Sequence, residues 1–447
     1  MPPRDLVIVS NRGPLSFRYD DEGALATVRG GGGLVTSLGP AVEGTGATWM
    51  AAALSDADRE AASAGVVDAE GFRLRSLVVD EGDYRQFYDV VANATLWFLH
   101  HGLWDLVRRP RFDRHWHQAW ATFRAVNAAF ADAVAAEAPE GATVLVHDYH
   151  LSLVGARLRK LRPDLATAYF HHTPFCTPTE LRTLPTAVAV ELLEGMAGSG
   201  ACGFHSARWQ ANFEACCREV LGHVPPTFVA PAAANVDDIT SVEAPALDFG
   251  GRRVIARVDR IELSKNIVRG FLAYDELLRS RPDLRGQVVF AASIYPSRQS
   301  LVDYLAYANE VEAVVDRVNA EWGAESWTPI VLDTSDDFPR SVAVLRSYDV
   351  LLVNPIRDGL NLVAKEGPIV NERDGVLVLS PEAGAWAELG PATIEAHPFD
   401  IMGTAEALGR ALDLDAAERA RRAAELRTLA STGTSHDWLA AQVAAAR

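Results

Sequence analysis

The sequence predicts an α/β protein made of two Rossmann-like, doubly wound parallel sheets facing each other across a cleft. Three observations predict it. A chain of 447 residues is longer than one ordinary core supports, so two domains of roughly 200 residues each are expected. Short runs rich in Val, Ile and Leu alternate with helical segments along the whole chain, as in parallel sheets buried on both faces. Between the two series lies NVDDITSVEAPALDFGG, polar, proline-bearing and without periodicity, which places a linker near residues 236–250. The expected division is an N-terminal domain over 1–240, a C-terminal domain over 241–430, and a helix over 431–447 packing back toward the first domain.

The strands of the first half are LVIVS, ATWMAA, FRLRSLVV, TVLVHDY, ATAYFHHT, CGFHS and TFVAPAA. Trp116, Trp120, Phe123, Phe130 and Val134 fall on one face of an amphipathic helix between two of them. The second half supplies RRVIARV, QVVFAAS, TPIVLDT, VLLVNP, GVLVLSP and ATIEAHP, separated by helical sequence such as IVRGFLAYDELLRS.

Composition narrows the function classes. Hydrophobic residues at 49% and charged residues at 23% are those of a globular chain. A net charge of −17 disfavours a nucleic-acid or anionic-membrane surface, so an anion must be bound in a local basic pocket. Cys176, Cys202, Cys216 and Cys217 are too few and too irregular for a disulfide framework. With no signal-like N-terminus and no apolar run of ~18 residues, a soluble protein of the reducing cytoplasm is expected.

Ligands of open α/β sheets bind beyond the carboxyl ends of the strands, so the loops there carry the argument. The run VRGGGGLVTSLGP brings four glycines to a helix start, which suits either a flexible loop or a backbone approached by phosphate. In RVDRIELSKN, Arg260 and Lys265 suit a diphosphate clamp, or else are two solvated charges. In NPIRDGLNLVAKEG, Asp358 and Gly359 are read as ending a strand. The chain turns tightly through Leu360, Asn361 and Leu362, and a helix beginning there, with Val363 in its path, would aim its free amides at an anion. Glu366, one turn on, suits a pair of neighbouring hydroxyls, and Asp358 could instead be a helix cap. His147, Asp148 and His150 in HDYH, with His171 and His172 in FHHTPF, lack metal-ligand spacing. They suit sugar hydroxyls at strand ends, or a hydrogen-bonded structural role. No Gly-x-Ser-x-Gly elbow and no Walker pattern is present.

SNR, GGL, NATLW, HDYHL, GFHS, SKN, PSR, RDGLNLVAKE and AGAWAEL occur in order over nearly the whole chain. The set resembles the trehalose-6-phosphate synthases, retaining glycosyltransferases of the GT-B fold. The resemblance implies transfer of glucose from a nucleoside diphosphate glucose to glucose 6-phosphate, giving α,α-trehalose 6-phosphate. It implies that Arg12, Tyr88, Trp97 and Arg298 hold the acceptor and its phosphate, with Asp148 on the acceptor sugar. Gly33 approaches the donor phosphates, while His172, Asp358, Gly359 and Asn361 read the donor glucose. Arg260, Lys265 and Glu366 hold the diphosphate and ribose, backbone near Phe338 and Arg340 holds the base, and no metal or other cofactor is required. It further implies small-molecule substrates, no nucleic-acid or membrane partner, a homodimer or homotetramer, and a separate phosphatase downstream. The sequence departs from the family pattern at Arg-Ile-Glu before Lys265, at Asn266, at Cys176 and at PAAANV. SKN and VNERD are reminiscent of the pseudo-glycosyltransferases that couple cyclitols through nitrogen, which is one alternative; a catalytically silent sugar-phosphate sensor is another.

Overall fold

In the computed structural model, which describes residues 5–30 and 32–447, the apolar runs become the central strands of two sheets. Gly31, within the glycine run, lies outside the described residues. The chain forms two compact units, one reaching to Ala232 and including Gly433–Arg447, the other Ala233–Thr432.

The first unit contains β1 (Leu6–Val9), β2 (Leu15–Tyr19), β3 (Leu25–Arg29), β4 (Thr48–Ala53), β5 (Val66–Ala69), β6 (Phe72–Val78), β7 (Thr143–His147), β8 (Ala166–His171), β9 (Ala201–Phe204) and β10 (Thr227–Val229). Eight of these form one sheet in the order β10-β9-β8-β7-β1-β4-β6-β5. Only β5 runs antiparallel to its neighbour. Order reverses between β1 and β7, so the segments after those two strands flank the switch point where such sheets bind ligands. The second unit carries β11 (Arg253–Ile261), β12 (Val288–Pro296), β13 (Ile330–Asp333), β14 (Val350–Val353), β15 (Val376–Leu379) and β16 (Ile394–Glu395). Their order, β13-β12-β11-β14-β15-β16, is that of the dinucleotide-binding fold, with its switch point between β11 and β14. Ile255, Phe271, Phe290, Val350 and Val376 are fully buried in the core beneath it.

All thirteen strands read from the sequence are present. Three others are not legible there. β2 and β3 form an antiparallel hairpin, and β3 is half-exposed, so its alternation carries no core signal. β5 is a short, half-exposed edge strand. The linker segment holds a turn of helix, Val236–Ser241, capped by Asn235. Gln86–Trp97 is a π-helix, a geometry rare in long runs and frequent at functional sites.

Candidate functional site

In the second unit, β11 delivers a basic, carboxylate-lined loop to the switch point. Arg257 is 0% exposed. Its Nε donates to Asp259 Oδ2 at 2.9 Å, its Nη1 to Asn354 Oδ1 at 2.8 Å, and its Nη2 to the carbonyl of Lys265. This buried guanidinium therefore ties the loop after β11 to the end of β14. Lys265 Nζ donates to Asp358 Oδ2 at 2.6 Å and lies 3.8 Å from Asp259 Oδ1. Burial pulls the ammonium's pKa down, but Asp358 and Asp259 outweigh it and hold it above the ordinary lysine value. Burial pushes the Asp259 carboxyl up against the opposing pull of Arg257 and Lys265.

Asp358 lies in a loop, not at a strand end as the sequence suggests, since β14 stops at Val353. The loop is zipped to AGAWAEL instead. Asp358 N–H donates to the Glu382 carbonyl at 3.1 Å, Gly384 N–H to the Asp358 carbonyl at 3.0 Å, and Ala385 N–H to the Leu360 carbonyl at 2.8 Å. A Cβ on Gly384 would lie 1.9 Å from the Gly359 carbonyl oxygen, which is why glycine stands there. Asn361, at φ 73°, donates to Asp358 Oδ2 at 3.0 Å and accepts from Ala364 N–H at 3.2 Å. It thereby turns the chain through Leu362 into the helix Val363–Val370. Lys365, 1% exposed, is anchored to Glu388 at 2.9 Å.

Arg260 is half-exposed and lies 3.3 Å from Glu262. Arg298 is not a bare cation either: it lies 3.0 Å from the same carboxylate and donates to the Tyr304 hydroxyl at 2.7 Å. Glu262 thus serves two arginines. Burial, reinforced by Asp238, pushes the Glu366 carboxyl up to about 7. Arg340 sits in the first turn of Phe338–Ser347, its N–H donating to the capping Asp337 and its guanidinium paired with Asp333.

In the first unit, the segments after β1 and β7 carry Arg12 and Asp148. Arg12 is exposed, and its carbonyl accepts from Ser10 Oγ at 2.6 Å. HDYH leaves the strand at His147: Asp148 has φ 74° and residues Tyr149–Leu151 form a 3-10 turn. The strand read as TVLVHDY therefore ends one residue into the motif. Asp148 Oδ1 accepts from His172 N–H at 3.3 Å. Tyr88 is stacked between Tyr84 and His150, at 5.4 and 5.5 Å. Trp97 is 2% exposed, its ring 4.1 Å from that of His101. His172 lies between His147 and His205, at 3.0 and 3.2 Å between ring nitrogens.

The glycine run answers two different demands. A Cβ on Gly30 would lie 2.6 Å from the Gly13 carbonyl oxygen, so that glycine admits the chain's own backbone. Gly32, at φ 115°, precedes the helix Gly33–Val42, and Gly33 is exposed at its start.

Sequence reasoning misses Arg257, Asp259, Glu262 and His205 as parts of these clusters. Arg257 has a usable signal, a charged residue inside the apolar run VIARV of a sheet buried on both faces. Among the described residues, no group of three or more His, Cys, Asp or Glu is disposed to hold a metal ion. No described helix is long and apolar enough to cross a membrane.

The sequence model of glycosyltransferase family 20 matches residues 4–244 and 241–447. A trehalose-6-phosphate synthase of Mycobacterium sp. strain JLS is 32% identical over 459 residues, spanning 95% of this chain and 92% of that one. Among solved structures, an E. coli chain described as trehalose-6-phosphate bound with UDP-2-fluoro glucose has a TM-score of 0.86 at 28% identity, over 98% of both chains. The UDP-forming α,α-trehalose-phosphate synthase of Burkholderia xenovorans, in complex with glucose-6-phosphate, has a TM-score of 0.83 at 28% identity, over 98% of both chains.

Proposed function

The chain belongs to glycosyltransferase family 20 and has the GT-B fold, and on that premise we propose that it transfers glucose from UDP-glucose to glucose 6-phosphate. The product is α,α-trehalose 6-phosphate, with the anomeric configuration of the donor retained. The observation that carries the reading is the cation–carboxylate cluster of Lys265, Asp358 and Asp259 at the switch point of the second sheet, beside the start of the helix Val363–Val370. A diphosphate brought there meets Lys265, Arg260 and the positive end of that helix, although Asn361 already caps the Ala364 amide.

In this proposal Arg260 and Lys265 neutralise the departing UDP, so no bound metal or cofactor is required. Asp358, now accepting from Lys265 and Asn361, exchanges one of these partners for a glucose hydroxyl. Gly359, Leu360, Asn361, Leu362 and Val363 shape the donor loop, Glu366 accepts from the ribose hydroxyls, and Arg340 stands by the base. Gly33 approaches the donor phosphates, and His172 and Asp148 meet the sugars. Arg12, Tyr88, Trp97 and Arg298 hold the acceptor. The leaving phosphate oxygen takes the proton of the attacking hydroxyl on the face it departs from, so retention needs no enzyme nucleophile. A double displacement would instead need a pair of carboxylates about 5 Å apart.

The proposal includes a cytoplasmic homodimer or homotetramer and a separate phosphatase to consume the product. Sedimentation reads the first of these.

The two stretches reminiscent of cyclitol-coupling enzymes are occupied with holding turns. Asn266 sits at φ 62°, where asparagine is tolerated in place of glycine, and its amide donates to the Asn354 and Pro398 carbonyls at 3.0 and 2.6 Å. Asn371 of VNERD donates to the Tyr348 carbonyl at 2.9 Å and accepts from Gly375 N–H at 2.7 Å.

The test is a product assay with glucose 6-phosphate and the UDP, GDP and ADP forms of glucose, read by mass. Trehalose 6-phosphate and UDP are the expected products. Donor binding without disaccharide would overturn the reading.

Glu366 gives a pH signature. Its folded pKa of about 7 lies above that of an unfolded glutamate, so its contribution is full at low pH and is lost as pH rises through 7. Glu366→Gln is expected to match the wild type in stability at pH 5 and to exceed it by about 1–3 kcal/mol at pH 8. Donor KM in the wild type is expected to fall between pH 6 and 8, because ribose hydroxyls favour the carboxylate. Denaturant melts and initial rates at the two pH values check both.

A further inference from the structure

Three imidazoles stand in a row across the carboxyl ends of β7, β8 and β9. The register places Phe170 beside His147 and Phe204 beside His171, so His172 and His205 follow as neighbours one residue beyond their strands. The direction of the row is set at one end. Ala232 N–H donates to His205 Nδ1 at 3.3 Å, so that nitrogen carries a lone pair and the His205 proton is on Nε2. This N–H then meets His172 Nδ1 at 3.2 Å, and His172 in turn meets His147 Nδ1 through Nε2 at 3.0 Å. The last proton falls on His147 Nε2, which is buried and has no hydrogen-bond partner among the described residues. Reversing the row would set two N–H groups against each other at Ala232.

The surroundings favour neutral rings. Burial pushes His172 down to about 3 and His147 well below the ordinary histidine value. Trp438, from the helix Ser435–Ala446, walls the row, its ring 5.8 Å from His172 and 6.1 Å from both His147 and His205. Its Nε1 donates to the Ala230 carbonyl at 3.0 Å. The nitrogens bond to one another and do not converge on a common point.

We propose that His205, oriented by the Ala232 amide and walled by Trp438, is a positioning residue that holds His172 in a single neutral tautomer, with the proton on Nε2 and the lone pair on Nδ1. The inference rests on the reading that puts His172 at the donor glucose. A ring whose two nitrogens are both committed presents the sugar with one fixed edge and does not compete with the phosphate oxygen for the acceptor's proton.

Nitrogen NMR of the full chain labelled in its histidines, without substrates, tests this independently of activity. His172 is expected to show the neutral Nε2–H pattern. A protonated, Nδ1–H or mixed His172 overturns the proposal, and this readout stands even if the variants do not fold. In His205→Phe, His172 is expected to mix tautomers and kcat to fall several-fold, with KM for glucose 6-phosphate unmoved. His205→Gln, whose amide spans the same donor and acceptor positions, is expected to restore both relative to His205→Phe. A His172 tautomer unchanged in His205→Phe, or one that shifts without loss of kcat, overturns the role of His205. Failure of the donor-sugar reading looks different: the wild-type tautomer is as stated, but His172→Phe leaves turnover intact.

Discussion

Arg260→Ala is expected to lower kcat/KM by about 10²–10³-fold, the loss typical of one contact to a charge that develops in the transition state, while leaving the melting midpoint nearly unchanged. The two effects separate because of where the side chain sits. Arg260 is half-exposed, and Glu262 keeps its 3.0 Å contact with Arg298 when Arg260 is gone. Half-exposed ion pairs contribute at most about 1 kcal/mol to stability. The leaving diphosphate keeps only Lys265 of its two cations. If kcat and kcat/KM fall equally, the guanidinium acts only once charge has built up on the phosphate. Near-normal turnover would remove Arg260 from the leaving-group role. Lys265→Ala should not separate so cleanly, because it strands Asp358 and Asp259 in a largely buried cluster.

Arg257→Met is the second large effect, and it reverses the balance. Asp259 would lose its 2.9 Å guanidinium partner, and Asn354 and the Lys265 carbonyl would lose theirs. Breaking a buried pair by removing one partner costs about 3–5 kcal/mol, because the other charge stays buried and uncompensated. A clear fall in the unfolding midpoint is expected, with a loss of turnover because the Lys265 loop is no longer tied to β14. Removing Asp259 as well, in Arg257→Met/Asp259→Val, should recover part of the stability but not the turnover. Calorimetry on the two single variants and the pair measures the coupling. Additive losses would show that the two side chains do not depend on each other.

Much of the architecture was legible because its signals are local. Parallel strands buried on both faces read as continuous apolar runs, and each of those runs is a strand in the structure. The helix of Trp116 and Phe123 runs over Arg114–Glu137, capped by Asp113. What escaped notice was half-exposed or irregular. The β2–β3 hairpin and β5 bury too little to show a pattern, and the π-helical geometry of Gln86–Trp97 has no sequence period of its own.

Site residues divide along the same line. Candidate residues that sit in motifs, Arg260, Lys265, Asp358 and Glu366, could be singled out because residue type and position after a strand suffice. Local signals are enough for two α/β units, the order of their strands along the chain, and which loops carry charged and imidazole side chains. Packing sets which groups face one another: Lys265 with Asp358, Glu262 between two arginines, His172 between two histidines. Those partners lie from a few residues to almost a hundred apart along the chain. Sheet topology brings together loops that sequence spacing leaves unrelated, and burial then decides how strongly each charge or proton there is held.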